Sequence, residues 1–432
     1  MKEKETEEIK RNGKRERVER AYELAREAYR DFGVATEEAI RAALEIPVSI
    51  QCWQGDDVTG FEEAEASGPG RGGILATGSY PGRARNGDEL RKDAEFAFSL
   101  IPGAKRFNLH SFYAETKGRT VRRDELEPEH FEIWMAWSRK NRIPLDFNPS
   151  FFSHPLAESG YTLSHRDPEI RRFWIRHAIA ARRVAAAFGA NQDGPAMNNL
   201  WIPDGSKDAP ADRLGPRRRL RDALDEVYAV PLAGLTDALE SKLFGIGSES
   251  YVVGSHEFYL GYAGAKQLYL CLDTGHFHPT ETIADKISAA LLFVPGLLLH
   301  FSRGVRWDSD HVAIHSDDQR DICREIVRQK AFGQVRLALD FFDASINRVA
   351  AWTIGARSLR KSLLEAFLEP TRLLLEAENA GRYHERLGLM EISKTLPLSA
   401  VWDKLCLDAA APVGSDWIAQ VNTYEETELL KR

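Results

Sequence analysis

The order of its apolar segments is the feature that most constrains how this chain can fold. Eight short runs rich in Val, Ile, Leu or Phe follow one another, and helical patterns such as "DELRKDAEFAFSLI" (88–101) and "DDQRDICREIVRQKAF" (317–332) separate them. The runs cover residues 47–53, 105–113, 143–150, 197–205, 238–247, 267–277, 296–303 and 334–345. Strands that alternate with helices pair in parallel through right-handed crossovers. Eight such units predict an α/β fold of the (β/α)₈ TIM barrel type.

The remaining segments are helical and divide the chain into three predicted parts. Residues 1–46 should form an N-terminal helical extension, residues 47–350 the catalytic barrel, and residues 351–432 a C-terminal helical extension that makes oligomer contacts. The long, glycine-rich stretch 55–87 follows the first strand, which places it on the catalytic face of a barrel. A long loop in that position is expected to be a lid.

Composition excludes several classes of partner. The formal net charge of −7 argues against a surface built to neutralise phosphates, and the basic run 217–221 is interpreted as the solvated face of a helix, so no nucleic-acid partner is expected. Pro295 and Gly296 interrupt the most apolar stretch, 288–302, which is also too short to span a bilayer. No membrane partner is therefore expected.

The cysteines and the first residues predict the compartment. Four scattered cysteines without CxxC spacing suggest neither a zinc ribbon nor a disulfide framework, and they are Cys52, Cys271, Cys323 and Cys406. The charged N-terminus lacks the apolar region of a signal peptide. Both features predict a cytoplasmic protein.

Ionisable side chains collect at the predicted C-terminal ends of strands five to eight, where barrel enzymes carry their chemistry. Five carboxylates and two imidazoles are found there, with Lys242 beside them: Glu240, Asp273, His276, His300, Asp308, Asp310 and Asp340. Residues two apart on a strand share a face, so Glu240 and Lys242 can both point into the barrel mouth. Asp308 and Asp310 can likewise converge if that segment is extended.

So many carboxylates in one concave mouth require cations, because burying them unpaired is very costly. Oxygen-rich ligands without a thiolate favour Mn²⁺, Mg²⁺ or Co²⁺ over a structural zinc. The ligands outnumber what one ion needs, which predicts two divalent ions with a bridging carboxylate. Mn²⁺ is the preferred assignment, and Co²⁺, Mg²⁺ and Zn²⁺ are alternatives.

Each of these residues also has a purely structural interpretation. A single aspartate at a strand end is more often a helix N-cap or a surface group, and His300 alone would be an ordinary core histidine. Lys242 could simply pair with Glu240, and Trp201 and Phe342 could be barrel packing. The coincidence of seven candidate ligands on four consecutive strand ends favours the metal interpretation.

Several motifs resemble the L-rhamnose isomerase family, whose members are metal-dependent aldose–ketose isomerases of the xylose isomerase type. The resemblance covers nearly all of the chain from about Glu45, and it includes "CWQGDDVTGFE", "DFNPSFFSHP", "ESKLFGIGSESYVVGS", "LDTGHFHPTE", "VRWDSDHV" and "LDFFDASINR". It implies a cytosolic homotetramer of barrels that acts on L-rhamnose and often on other aldoses, including rare sugars. The charged stretch up to about residue 16 has no counterpart in the family pattern.

The resemblance also implies roles for individual residues. One ion, the structural one, would be bound by Glu240, Asp273, His300 and Asp340. The second, catalytic ion would be bound by His276, Asp308 and Asp310. Lys242 would contact the sugar near O1, and the remaining sugar contacts would be His110, Trp201, Phe342, Trp53 and Asp343. The resemblance assigns no role to Gln51.

Two routes could move hydrogen between C1 and C2 of the open-chain sugar. In a hydride shift, metal ions and Lys242 stabilise a developing alkoxide. In a proton-transfer route, a carboxylate abstracts the C2 proton and gives an enediol. The resemblance to xylose isomerase favours the hydride shift.

Two other classes of protein compete with an isomerase. A divalent-metal-dependent phosphoesterase or nuclease could use a similar cluster on the same barrel, but the acidic net charge counts against it. A non-catalytic metal-holding scaffold is disfavoured by Lys242 among the ligands and by the long loop over the mouth.

Overall fold

The structure is a computed structural model that describes residues 2–52, 60–62, 82–242, 250–305, 308–341, 343 and 345–432. For residues 2–11 and 308–310 it describes the backbone and not the side chains. The predicted lid over residues 55–87 therefore lies largely outside the described part of the chain.

Eight parallel strands close into a barrel, as the sequence predicts. The barrel strands are β1 Val48–Gln51, β2 Lys105–His110, β3 Leu145–Asn148, β4 Ala196–Leu200, β5 Leu235–Glu240, β6 Tyr269–Asp273, β7 Leu297–Phe301 and β8 Val335–Leu339. Each strand pairs with its neighbours in chain order, and β8 closes the ring on β1 with Val48 opposite Leu337. The predicted (β/α)₈ fold is confirmed.

Helices follow the strands and cover the outside of the barrel. In chain order they are α1 Lys2–Arg30, α2 Thr36–Glu45, α3 Gly87–Leu100, α4 Glu132–Asn141, α5 Pro168–Ala190, α6 Leu214–Val227, α7 His256–Lys266, α8 Ile283–Leu291, α9 Asp317–Arg328, α10 Arg348–Phe367, α11 Thr371–Asn379, α12 Tyr383–Ser393, α13 Leu398–Asp408 and α14 Asp416–Thr427. Asn86, Asp167, Ser316 and Asn347 cap four of them, because each side chain accepts a backbone N–H of the first turn. Within the described residues, no helix has the length and the apolar composition needed to cross a membrane.

The barrel core has two layers that meet at the strands. Large aromatic and aliphatic side chains such as Phe107, Trp134 and Phe147 fill the space between the strands and the helices. Inside the barrel, a smaller apolar cluster forms a floor, and its members are Met197, Ala238, Cys271, Leu298 and Ala338. Because side chains alternate along a strand, the residues two positions further on lie above this floor, at the C-terminal mouth.

Two short antiparallel ribbons stand at the mouth, and the sequence does not predict either pairing. One joins Gly205–Ser206 to Tyr251–Val252 and so links the loops after β4 and β5. The other joins Arg303–Val305 to Asp308–His311, just after β7. The backbone of the "DSDH" segment is therefore extended.

A second apolar cluster lies where the N-terminal and C-terminal helices meet. Side chains of α1, such as Tyr22 and Tyr29, pack with Trp402 and Leu405 of α13. The predicted division at residue 350 falls inside α10, which follows β8 and packs against α2, α3 and α9.

Candidate metal centre

Four predicted ligands meet at the C-terminal ends of β5 to β8. Glu240 and Asp273 end their strands, His300 lies one residue before the end of β7, and Asp340 directly follows β8. Each residue contributes one ligand atom to a group whose atoms all lie within 4.8 Å of one another. Three of the four are buried, and Asp340 is partly exposed. Three carboxylates and one imidazole at this spacing fit a divalent cation.

The environment of His300 is consistent with such an ion. Its Nδ1 atom lies 3.0 Å from an oxygen of Asp340, 3.4 Å from one of Glu240 and 3.7 Å from one of Asp273. This buried nitrogen nevertheless has no well-aligned hydrogen bond to a described group. A buried polar atom aimed at carboxylates without a partner is explained when a cation lies between them.

Electrostatics at the cluster favour positive charge. Burial, together with repulsion from Glu240 and Asp340, raises the pKa of Asp273 to about 7. Burial would lower the pKa of His276, but Asp273 and Glu240 outweigh it and raise that pKa to about 9. Burial opposes ionisation of Glu240, yet the neighbouring imidazoles of His300 and His276 hold its pKa well below the usual range. The carboxylates therefore attract cations into this mouth.

His276 lies beside the cluster and is oriented by the backbone. Its Nδ1 atom donates to the carbonyl of Ser241 over 2.9 Å and lies 3.2 Å from Glu240 Oε1. A cation that displaces the proton from Nε2 would leave the Nδ1 proton hydrogen-bonded to Ser241 and gain the Nε2 lone pair as a ligand. Asp273 is held in turn by the N–H of Gly275, 2.7 Å from its Oδ1.

Lys242 lies two residues beyond the end of β5, and its side chain is buried. Its Nζ atom donates to the carbonyl of Pro203 over 3.0 Å and lies 5.7 Å from the centre of the Trp201 ring. Its backbone N–H donates to the carbonyl of Gly254 over 3.1 Å. The Pro203 carbonyl and the face of the Trp201 ring thus both contribute to positioning the buried ammonium.

An aromatic wall continues from Trp201 around the mouth. The Phe152 ring makes edge contacts with Trp201 at 5.9 Å and with His110 at 6.0 Å, measured between ring centres. His110 stacks on Phe112 at 5.4 Å, and burial lowers the pKa of His110 to about 3. The structure therefore brings together His110 and Trp201, and it adds Phe152 and Phe112, which sequence reasoning missed.

Arg123 holds the segment that carries Phe152. Its guanidinium donates to the carbonyls of Ser150, Phe152 and Ser153 over 2.7, 2.6 and 3.0 Å and pairs with Glu62 at 2.7 Å. The side chain is 2% exposed. One buried arginine thus fixes the backbone beneath the aromatic wall.

Two further polar residues were missed by the sequence predictions. The side-chain N–H₂ group of Asn199 donates to Glu240 Oε2 and so orients a predicted metal ligand. Asp204 is 1% exposed and accepts four hydrogen bonds from Thr162 and Ser164. Asn199 therefore acts on the site through the carboxylate of Glu240, and Asp204 acts through the loop segments that its hydrogen bonds hold together.

The remaining predicted site residues are less well described. Asp308 and Asp310 lie in the short strand after β7, and their side chains are outside the described part of the structure. Trp53 and Phe342 also fall outside the described residues. Asp343 lies just beyond β8, where it accepts from the N–H of Ser345 over 2.8 Å and lies 3.6 Å from His311.

Comparison with known proteins gives one consistent family. The family profile described as L-rhamnose isomerase (RhaA) matches residues 16–432. An L-rhamnose isomerase of Rhodopirellula baltica is 56% identical over 417 residues, which are 96% of this chain and 97% of that protein. An L-rhamnose isomerase of Escherichia coli O127:H6 is also 56% identical, over 96% of this chain and 99% of its own.

Among solved structures, a xylose isomerase domain protein from Alicyclobacillus acidocaldarius aligns with a TM-score of 0.44. That alignment has 12% identity and covers 75% of this chain and 99% of the other.

Proposed function

The chain belongs to the L-rhamnose isomerase family and is therefore an aldose–ketose isomerase, and we propose that it interconverts L-rhamnose and L-rhamnulose. The observation that supports this most directly is the group formed by Glu240, Asp273, His300 and Asp340 at the barrel mouth. The family match favours this activity over the phosphoesterase or nuclease alternative. We also propose that other aldoses, including rare sugars, are accepted.

Two divalent ions, with Mn²⁺ preferred over Co²⁺, Mg²⁺ and Zn²⁺, complete the proposed site. The buried group of Glu240, Asp273, His300 and Asp340 would hold the structural ion, which its three carboxylates and single imidazole suit. His276, Asp308 and Asp310 would hold the catalytic ion. When bound, the ions act as Lewis acids that polarise the sugar carbonyl and lower the pKa of the adjacent hydroxyl.

The residues of the chain orient the open-chain sugar and stabilise charge. Lys242, held by the Pro203 carbonyl, would place its ammonium near O1 and stabilise the negative charge that develops there. Asp308 and Asp310 would guide the proton that moves between O2 and O1. The apolar wall that includes Trp201, with Phe342 and Trp53 assigned by resemblance, suits the methyl group of a 6-deoxy sugar.

Hydrogen would move from C2 to C1 as a 1,2-hydride shift. The carboxylates at the mouth are engaged as ligands in this proposal, which leaves few free to act as the base of an enediol route. The conversion of L-rhamnose in deuterated water tests the route. We expect no solvent deuterium at C1 of the product, and quantitative incorporation there would contradict the hydride shift.

Metal dependence gives the first test of the site. Protein stripped with a chelator should form ketose from L-rhamnose only after Mn²⁺ is restored. Asp273→Asn should lose both Mn²⁺ affinity and turnover, whereas Asp285→Asn, on the exposed surface of α8, should retain both. Full activity in the stripped protein, or in Asp273→Asn, would contradict the assignment.

We further propose that the enzyme is a cytoplasmic homotetramer. The four cysteines are buried and form no disulfide bond, as is usual in a reducing compartment. Helices α11 and α12 expose large apolar side chains, namely Leu375, Tyr383, Leu387 and Ile392, and such surfaces often contact another subunit. Light scattering on the purified protein should give four times the chain mass, and a monomer would contradict the proposal.

A further inference from the structure

The barrel mouth is divided into a charged half and a neutral half. Glu240, Asp273, His300 and Asp340 occupy the ends of β5 to β8, as described above. The other four strands carry side-chain amides at this level, and we call them the amide row: Gln51 of β1, Asn108 of β2, Asn148 of β3 and Asn199 of β4. All four are at most 4% exposed.

Hydrogen bonds within the amide row fix how the amides are turned. Asn108 Nδ2 donates to Gln51 Oε1 over 2.5 Å and to Asn148 Oδ1 over 2.9 Å. An amide nitrogen has two hydrogens, so both are used. Gln51 must therefore present its oxygen to Asn108, which turns its own N–H₂ group away from the row.

Three polar atoms of the amide row and Trp201 have no partner among the described residues. They are the donor Gln51 Nε2, the acceptor Asn199 Oδ1 and the donor Trp201 Nε1, and none makes a hydrogen bond with a described group. The three residues are 2%, 1% and 9% exposed, respectively. The carboxylate of Glu240 fixes the orientation of the Asn199 amide. Because a carboxylate only accepts hydrogen bonds, the amide nitrogen must face Glu240 and the amide oxygen must point away from it.

The mixture of unpaired donors and acceptors indicates what would bind. Buried polar groups without partners destabilise a fold unless a ligand or an ordered water completes them. A cation would require acceptors alone, and an anion would require donors alone and would be repelled by Glu240. A hydroxyl group both donates and accepts, so an array of donors and acceptors suits a polyol.

We propose that the amide row and Trp201 Nε1 form the subsite for the secondary hydroxyl groups of the open-chain sugar beyond C2. This inference rests on the proposed function, in which the charged half and Lys242 take the oxygens at C1 and C2. The rest of the carbon chain must then lie against the neutral half. Gln51 Nε2 donates to one hydroxyl oxygen, and Asn199 Oδ1 accepts from another hydroxyl.

Binding of a polyol to the Mn²⁺-loaded enzyme tests this subsite without turnover. L-rhamnitol is the probe, Gln51→Met is the variant that keeps the side-chain length without the amide, and Gln420→Met on the exposed face of α14 is the matched control. We expect Gln51→Met to raise the dissociation constant of L-rhamnitol and the KM for L-rhamnose roughly three- to tenfold, the effect of one neutral hydrogen bond. The Mn²⁺ dissociation constant measured without sugar should stay within about twofold, as in the control.

Unchanged polyol binding in Gln51→Met would overturn the subsite, since the amide would then hold only water. A parallel loss of Mn²⁺ affinity would also overturn it, because the amide row would then serve the metal ions. Failure of the wild-type enzyme to convert L-rhamnose, with polyol binding still weakened in Gln51→Met, would contradict the proposed substrate and leave the polyol subsite supported.

A second measurement does not depend on how well the variant folds. Analogues of L-rhamnitol that each lack one hydroxyl, at C3, C4 or C5, are bound to the wild-type enzyme. We expect at least one analogue to bind the wild-type enzyme roughly three- to tenfold more weakly than L-rhamnitol does. Equal binding of all analogues to the wild-type enzyme would overturn the proposal.

Discussion

Asp204 offers the sharpest test of how the fold positions Lys242. Its Oδ1 accepts from the N–H and hydroxyl of Thr162 over 2.8 and 2.5 Å, and its Oδ2 accepts from the same groups of Ser164 over 2.9 and 2.5 Å. The preceding carbonyl, that of Pro203, accepts from Lys242 Nζ. Asp204 therefore ties the loop after β3 to the carbonyl that holds the lysine.

The substitution Asp204→Asn keeps the shape of the side chain but replaces one acceptor with a donor. On the side that receives the new N–H₂ group, the hydroxyl can rotate and accept, whereas the backbone N–H cannot. One buried N–H thus loses its partner, which costs about 1–3 kcal/mol. Burial raises the pKa of Asp204 because a charged carboxylate is unfavourable away from water. The neutral asparagine avoids that penalty, which offsets part of the cost of the lost hydrogen bond. We expect a net loss of about 1 kcal/mol in the free energy of unfolding.

Activity should fall further than stability alone explains. A small displacement of the Pro203 carbonyl would move Lys242 from the position near O1 that we propose for it, and misplacing a charge-stabilising group lowers kcat more than KM. We expect kcat for L-rhamnose to fall about tenfold, with KM and Mn²⁺ affinity changed by less than about threefold.

Chemical denaturation, steady-state kinetics and Mn²⁺ binding are the assays for Asp204→Asn. The control is Asp208→Asn, an exposed aspartate of the same loop whose Oδ1 accepts only the neighbouring N–H of Ala209. A loss of stability with unchanged kcat would refute the link from Asp204 to Lys242. Unchanged stability would refute the hydrogen-bond argument itself.

Three further predictions follow from the described contacts. Burial lowers the pKa of His177 to about 3 in the folded protein, whereas an unfolded histidine has a pKa of about 6.5. The unfolded chain therefore binds a proton that the folded protein does not, and the folded state loses stability as the pH falls from about 6.5 towards 3. Unfolding at pH 5 should therefore take up about one proton fewer in His177→Gln than in the wild type, and potentiometry that finds equal uptake would contradict this. In Arg123→Lys, the single ammonium cannot reach three carbonyls and Glu62 at once. Phe152 should then shift, and KM for L-rhamnose should rise about tenfold. An unchanged KM for both L-rhamnose and L-lyxose would show that the aromatic wall does not depend on Arg123. Chelation should lower the thermal midpoint by several degrees, because Glu240 and its neighbouring carboxylates lose their counter-charge; scanning calorimetry that finds no shift would exclude a bound ion that stabilises the fold.

The sequence predicted the barrel because its signal is repeated and local. Each apolar run is buried on both faces in a parallel barrel, and turn residues and helical patterns separate the runs. The boundaries were less accurate: the fifth strand was predicted from residue 238, but β5 begins at Leu235 and includes the charged residue Asp237. Arg182 of α5 pairs with Asp237 at 2.9 Å and makes that charge tolerable in a strand. Arg182 and Asp237 are 55 positions apart, so a local sequence pattern cannot predict that they pair.

The charged half of the site was predictable for the same reason, whereas the neutral half was not. The members of the charged half lie at the ends of consecutive strands, and a group of ionisable side chains in such positions indicates a metal or catalytic site. They are Glu240, Asp273, His300 and Asp340. Asparagine and glutamine are uncharged and occur in many roles, so their presence at strand ends does not indicate a binding site. The role of Asp204 depends on Thr162 and Ser164, which lie about 40 residues earlier in the chain. Asn199 shares a strand face with Met197 and could have been found from that period of two.

The division of the mouth follows from the size of the energies involved. A carboxylate in place of Asn199, in contact with Glu240, would add a like charge within about 4 Å, worth about 4 kcal/mol at the effective dielectric constant of a protein surface. An ammonium or guanidinium there would pair with Glu240 and compete with the metal ion for it. A neutral hydrogen bond to a sugar hydroxyl contributes only about 1 kcal/mol. Side-chain amides can therefore hold hydroxyl groups without disturbing the charge balance of the proposed metal site, and this would account for amides on β1 to β4 opposite the carboxylates and the imidazole on β5 to β8.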